Sequence, residues 1–96
     1  GVKCSEVDFT CRNIITNKGY GDLFTHSTGH GLGLEVHTLP RIHKTNHELL
    51  EKNNVITIEP GIYVPNWGGV RIEDDCLITL DGCVPLNKST KELIII

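Results

Sequence analysis

Three imidazoles fall within twelve residues of this sequence, in the run His26-Ser27-Thr28-Gly29-His30-Gly31-Leu32-Gly33-Leu34-Glu35-Val36-His37. Histidine titrates near neutral pH and binds mid-row divalent metals, so the run is a candidate for acid–base work or for metal ligation. The i, i+4 spacing of His26 and His30 is that of a zinc-binding helix, but Gly29, Gly31 and Gly33 each disfavour helix by about 1 kcal/mol. A zinc helix is therefore excluded. In a regular strand His30 and His37 would face opposite sides, whereas the glycines permit bulges that reset the alternation, so the spacing leaves the ring directions open. Histidines that are merely hydrogen-bonded at the surface would satisfy the same pattern.

Two carboxylate clusters follow. Glu59 ends the apolar run Val55-Ile56-Thr57-Ile58 and precedes Pro60-Gly61, a place where a charge is costly unless it is paired or bound to a cation. A solvated glutamate at a strand end is the plain alternative. In Arg71-Ile72-Glu73-Asp74-Asp75 the period of two puts Arg71 and Glu73 on one strand face, and an exposed ion-paired strand worth under about 1 kcal/mol would look the same. One imidazole and two carboxylates are donors suited to Mn²⁺, Fe²⁺, Co²⁺ or Zn²⁺. Sulfur offers less, because Cys4, Cys11, Cys76 and Cys83 contain no C-x-x-C pair. Two disulfides are arithmetically possible, but a 39% hydrophobic chain can form a core without them, and free thiols in a reducing cytoplasm are expected.

The elements that must position these groups are legible in part. Cys4, Val7, Cys11, Ile14 and Ile15 form one stripe and predict a helix from Ser5 to Lys18, with Ser5 as N-cap and Gly19 ending it. Five glycines between Gly19 and Gly33 break any helical period, so Leu23–His26 and Leu32–His37 read as short strands around a tight bend. A short helix is expected over His47–Lys52, then an Asn53-Asn54 turn. Strands are expected at Val55–Ile58, Ile62–Val64, Val70–Asp74 and Cys76–Leu80, with Asp81-Gly82 turning the last into Cys83–Leu86. Ser89–Leu93 would add a turn of helix. The sum is one α+β unit, an antiparallel sheet with a helix on one face. Its 9 Lys and Arg against 12 Asp and Glu provide no basic excess for phosphates, so no nucleic-acid partner is expected. No apolar run reaches the roughly 20 residues of a membrane span, so no membrane partner is expected either.

Three motifs in order, Thr28–His37, Thr57-Ile58-Glu59-Pro60-Gly61-Ile62-Tyr63 and Gly69-Val70-Arg71-Ile72-Glu73-Asp74-Asp75, closely resemble the C-terminal half of the Xaa-Pro peptidases, prolidase and aminopeptidase P, of the pita-bread metallopeptidase family. The resemblance covers nearly the whole chain. It implies a pita-bread fold and hydrolysis of the bond before proline by water activated on two divalent metal ions, with Mn first and Co, Zn or Fe as other candidates. It implies that His30, Glu59 and Glu73 are metal ligands, with Glu73 bridging and Glu59 also accepting the proton of the water. His26 and His37 match histidines that position the scissile carbonyl and stabilise its developing charge. Arg71 matches an arginine that orients the ligands.

Two departures carry expectations of their own. Thr38 stands where the family usually has Glu, which affects the substrate loop and spares the ligands. The family's site also takes two aspartates from an upstream half of the domain, and neither Asp8 nor Asp22 lies in a matching motif. Residues 1–96 are therefore expected to be the C-terminal portion of a longer catalytic domain, inactive alone, whose parent is cytoplasmic, acts on peptides with proline after the scissile bond and is a possible homodimer. Competing expectations are a pita-bread scaffold without metals and a creatinase-like C–N hydrolase.

Overall fold

The computed structural model describes residues 1–96. One helix, α1 (Cys4–Asn17), is followed by a 3₁₀ turn at Gly21–Leu23 and seven strands: β1 (Gly29–Gly31), β2 (Thr38–Ile42), β3 (Val55–Ile58), β4 (Gly61–Val64), β5 (Gly68–Arg71), β6 (Asp74–Ile78) and β7 (Cys83–Pro85). Five strands form an antiparallel sheet in the order β2-β1-β3-β6-β7, and β4 and β5 form a separate two-stranded ribbon.

The helix is where its period predicts it, but its start differs. Lys3 is the N-cap, and the Glu6 carboxylate accepts the Lys3 amide at 2.9 Å. Ser5 does not cap; its hydroxyl lies 3.2 Å from His47 Nδ1. The first free amides of α1 are satisfied by another segment, since Cys4 N–H and Ser5 N–H donate to the carbonyls of Glu48 and Asn46. Gly19, at φ +90°, ends the helix as expected. The inward face is Cys4 and Asp8 with Val7 and Cys11 partly covered, while Ile14 is exposed. Cys4, Ile42, Leu50, Ile56, Cys76 and Ile78 make the core between helix and sheet.

Several expected elements are absent or displaced. Leu23–His26 and Leu32–His37 are not strands; the glycines between them form β1, and 32–37 is a loop. His47–Lys52 is not helical, because Leu49 instead bridges to Lys3 and so anchors the helix start. Ser89–Leu93 contains no helix. Val70–Asp74 is not one strand, since β5 stops at Arg71 and β6 starts at Asp74.

That last break has a simple geometry. The β3/β6 ladder pairs Ile58 with Asp74, and the β4/β5 ladder pairs Gly61 with Arg71. Both ladders keep the same register, so β3–β4 and β5–β6 are two arms of one long hairpin interrupted at 59–60 and 72–73. Pro60 has no N–H to donate, and the gap is bridged by the Ile72 N–H to the Pro60 carbonyl at 3.4 Å. The interruption puts Glu59 and Glu73 opposite each other, outside the regular ladder.

Candidate functional site

Register explains why distant residues meet here. Gly31 pairs with Ile56, so His30 lies across from Thr57; Thr57 pairs with Asp75, and Glu59 follows two residues later on the same face. His30, Thr57, Glu59, Glu73 and Asp75 therefore share one side of the β1–β3–β6 surface. The side chains bear this out. His30 Nε2 is 3.1 Å from Glu59 Oε1, and Arg71 reaches Glu59 Oε2 at 3.3 Å and Glu73 Oε2 at 3.7 Å. Burial raises the pKa of Glu73, the charge of Glu59 raises it further, and Arg71 works against both.

The three histidines converge as well. The rings of His30 and His37 are 4.4 Å apart, because the loop 32–37 folds back instead of extending as a strand. His26 donates from Nδ1 to the Ser27 carbonyl at 2.7 Å, which leaves Nε2 facing the Tyr63 hydroxyl at 2.8 Å. His26, His30, His37, Glu59, Arg41 and Arg71 line a cleft of about 740 Å³. A neighbouring cleft of about 480 Å³ shares His30, His37, Glu59 and Arg71 and adds Glu73 and Asp75. Arg71 and Glu73 meet on one side, as their spacing of two predicts, and Arg71 also reaches Glu59 across the hairpin break.

Three residues that sequence reasoning gave no role belong to the site. The Thr57 hydroxyl accepts the His30 amide at 3.1 Å and donates to Glu59 Oε1 at 3.2 Å. Tyr63 meets His26, and Asp75 stands across from Thr57. Their signal was the alternation 57, 59 and 73, 75 on paired strands, which becomes readable only once the pairing is known.

The chemistry of the donors suits a divalent cation. His30 Nδ1 donates to the Gly31 carbonyl at 2.8 Å, the orientation that backbone contacts commonly impose on a metal-binding imidazole. Nε2 is then a lone pair aimed at a carboxylate oxygen 3.1 Å away. Two acceptors at that separation require positive charge between them, from a proton or from a metal ion. Number is what falls short, for no group of three or more His, Cys, Asp and Glu side chains within the chain is arranged to hold a metal ion. The chain fits such an ion as one part of a site.

The family model described as metallopeptidase family M24 matches residues 1–80. The chain is 53% identical over 94 residues to an Xaa-Pro dipeptidase of Pyrococcus horikoshii, a match that covers 98% of this chain and 27% of that protein. The solved Xaa-Pro dipeptidase from Bacillus anthracis superposes with a TM-score of 0.98 at 50% identity, covering 100% of this chain and 27% of the other. An X-prolyl aminopeptidase from Caenorhabditis elegans, described as a cytosolic enzyme with a di-nuclear active site, matches with a TM-score of 0.68 at 39% identity over 80% of this chain and 13% of that one. The chain thus spans little more than a quarter of the length of the two dipeptidases, and its helix and antiparallel sheet are a portion of the pita-bread fold. By the family match over most of its length and the close likeness in structure, the chain belongs to metallopeptidase family M24.

Proposed function

We propose that residues 1–96 are the C-terminal portion of the catalytic domain of a longer peptidase that hydrolyses the bond before proline, and that His30, Glu59 and Glu73 are its contribution to a site for two divalent cations, Mn²⁺ first. The observation that carries this is the opposed pair of acceptors, His30 Nε2 and Glu59 Oε1, beside a second carboxylate across the hairpin break. The names of the relatives support the substrate class, and the C. elegans enzyme supports the count of two metals. When bound, such ions lower the pKa of a water toward neutrality and offset charge on the substrate carbonyl.

The chain's own residues supply the remainder. Glu59 accepts a proton at its carboxylate, held in place by Thr57 and Arg71. His26 and His37 flank the cleft and orient the scissile carbonyl, with His26 steered by Ser27 and Tyr63. Arg41 lines the same cleft, is steadied by the Ser27 hydroxyl at 3.1 Å and has no carboxylate partner, so its charge is available to a free C-terminal carboxylate. This favours short peptides as substrates. Free cysteines and the lack of basic excess support a cytoplasmic protein with peptide rather than nucleic-acid partners, and a homodimeric parent belongs to the same reading. No helix is long and apolar enough to cross a membrane.

The test is hydrolysis of an Xaa-Pro dipeptide against its Xaa-Ala counterpart by the full-length protein with added Mn²⁺. Cleavage selective for the proline substrate is expected, with Glu59→Gln lowering kcat by about 10²–10⁴-fold, the range for loss of a general base. The 96-residue chain alone should show no turnover. Equal rates for wild type and Glu59→Gln would overturn the assignment, and an inactive full-length protein that binds no Mn²⁺ would favour a metal-free scaffold.

A further inference from the structure

Asp8 and Arg12 are a charged pair on α1, away from the cleft, yet they are built unlike a surface ion pair. Asp8 is fully buried. Its Oδ2 accepts Arg12 Nε–H at 2.9 Å, and its Oδ1 accepts Arg12 Nη2–H at 3.0 Å together with the Thr28 hydroxyl at 2.9 Å and the Thr28 amide at 3.2 Å. The guanidinium spends its remaining inward donors on backbone, with Nη1–H to the Phe24 carbonyl and Nη2–H to the His26 carbonyl, both at 2.9 Å. It also lies over the Phe24 ring at 4.1 Å, and that ring meets the His26 imidazole edge-on at 5.1 Å.

These contacts fall on residues 24, 26 and 28 in succession, every second residue of the segment that carries His26 into the cleft. Backbone pairing with the neighbouring strands starts only at Thr28, whose amide donates to the Ile42 carbonyl and whose carbonyl accepts the Glu59 amide, so residues 25–27 have no ladder of their own. We infer that Asp8 and Arg12 form a clamp that fixes the 24–28 segment from behind and so sets the position of the His26 ring in the substrate cleft. Both are positioning residues that touch no substrate. The inference rests on the reading of His26 as a substrate-site histidine. Only a guanidinium serves, because its planar fork can hold a carboxylate in bidentate fashion and still direct donors at two carbonyls, which a lysine ammonium cannot do from one point.

The experiment is a double-mutant cycle on the full-length protein. Arg12→Lys should lower kcat/KM on an Xaa-Pro dipeptide about 10–100-fold, the range for groups that orient an active-site side chain, while adding little further loss in a His26→Ala background. Hydrogen exchange in Arg12→Lys should quicken at the Thr28 amide, which donates to Asp8, and stay unchanged in β3 and β6. If Arg12→Lys fails to fold, Thr28→Val, which removes only the hydroxyl contact to Asp8, takes its place in the cycle with a smaller expected loss. Losses that simply multiply in the double variant, or unchanged exchange at the Thr28 amide, would overturn the clamp. A His26→Ala protein as active as wild type would instead sink the reading of the site on which it rests.

Discussion

Glu59 shows how one side chain is held for chemistry. Its two oxygens are engaged by different elements, Oε1 by His30 of β1 and Thr57 of β3, and Oε2 by Arg71 of the ribbon. Thr57 is the least conspicuous of these and is almost wholly buried. Thr57→Val keeps the shape and removes a hydroxyl that donates to Glu59 and accepts the His30 amide, so a half-buried N–H loses that partner. A loss of about 1–3 kcal/mol is expected, read as a lowered midpoint of chemical denaturation in the full-length protein, with weaker Mn²⁺ binding by calorimetry. His30, Glu59 and Glu73 stood out in the sequence as candidate donors, and the resemblance of the motifs that hold them to the Xaa-Pro peptidases gave them their expected role as ligands. Thr57 and Tyr63 were not legible as site residues, since a hydroxyl in a strand advertises nothing until the opposite strand is in register.

Among the elements, β1 and β2 are the ones the sequence concealed. Three glycines in five residues looked like a bend, yet Gly29 and Gly31 are strand positions squeezed between neighbours. A β-carbon at residue 29 would strike the Thr57 carbonyl, and one at residue 31 the Leu39 carbonyl. Both obstacles are backbone, which cannot swing aside as a long side chain would. Gly29→Ala should therefore destabilise by about 1–3 kcal/mol through forced separation of β1 and β3, and it should lower activity by moving His30; thermal unfolding and kcat of the same preparation check both. The helix, the 53–54 turn and the 81–82 hairpin were legible because period and turn chemistry are local. The failed helix at 47–52 and the split of 70–74 were not, because Lys3 and Pro60, each distant in sequence, decide them.

At the scale of the whole molecule, acid stability follows from the buried pair behind the sheet. Burial by itself would raise the pKa of Asp8, but hydrogen bonds from Arg12 and Thr28 outweigh it, and the net shift is downward. The folded carboxyl thus titrates below its unfolded counterpart near about 3.9. Its contribution to stability is full above that value and is lost as pH falls through it toward the folded pKa. The denaturation midpoint of the full-length protein should drop as pH is lowered below about 4, and Asp8→Asn should flatten that dependence while lowering stability at neutral pH. A variant with an unaltered slope would remove Asp8 from the account. Much apolar surface stays uncovered at this scale: Val2, Phe9, Leu93, Ile94, Ile95 and Ile96 are exposed, and Val2, Val7, Leu50, Ile56, Ile58 and Ile78 border an open cleft of about 410 Å³.

The loop between β1 and β2 closes on itself. Gly31 pairs with Thr38 across its base, the Gly33 amide bonds the Glu35 carbonyl near its tip, and the ring of His37 packs on that of His30. Leu34 and Val36, in between, are exposed. Because the base is pinned, added residues at the tip would cost little, since closure entropy grows only with the logarithm of length. A change of length or composition at positions 33–36 would accordingly alter the mouth of the cleft while the imidazoles stay in place. The shape of the cleft mouth and the placement of the imidazoles are thereby set by different residues of one short loop.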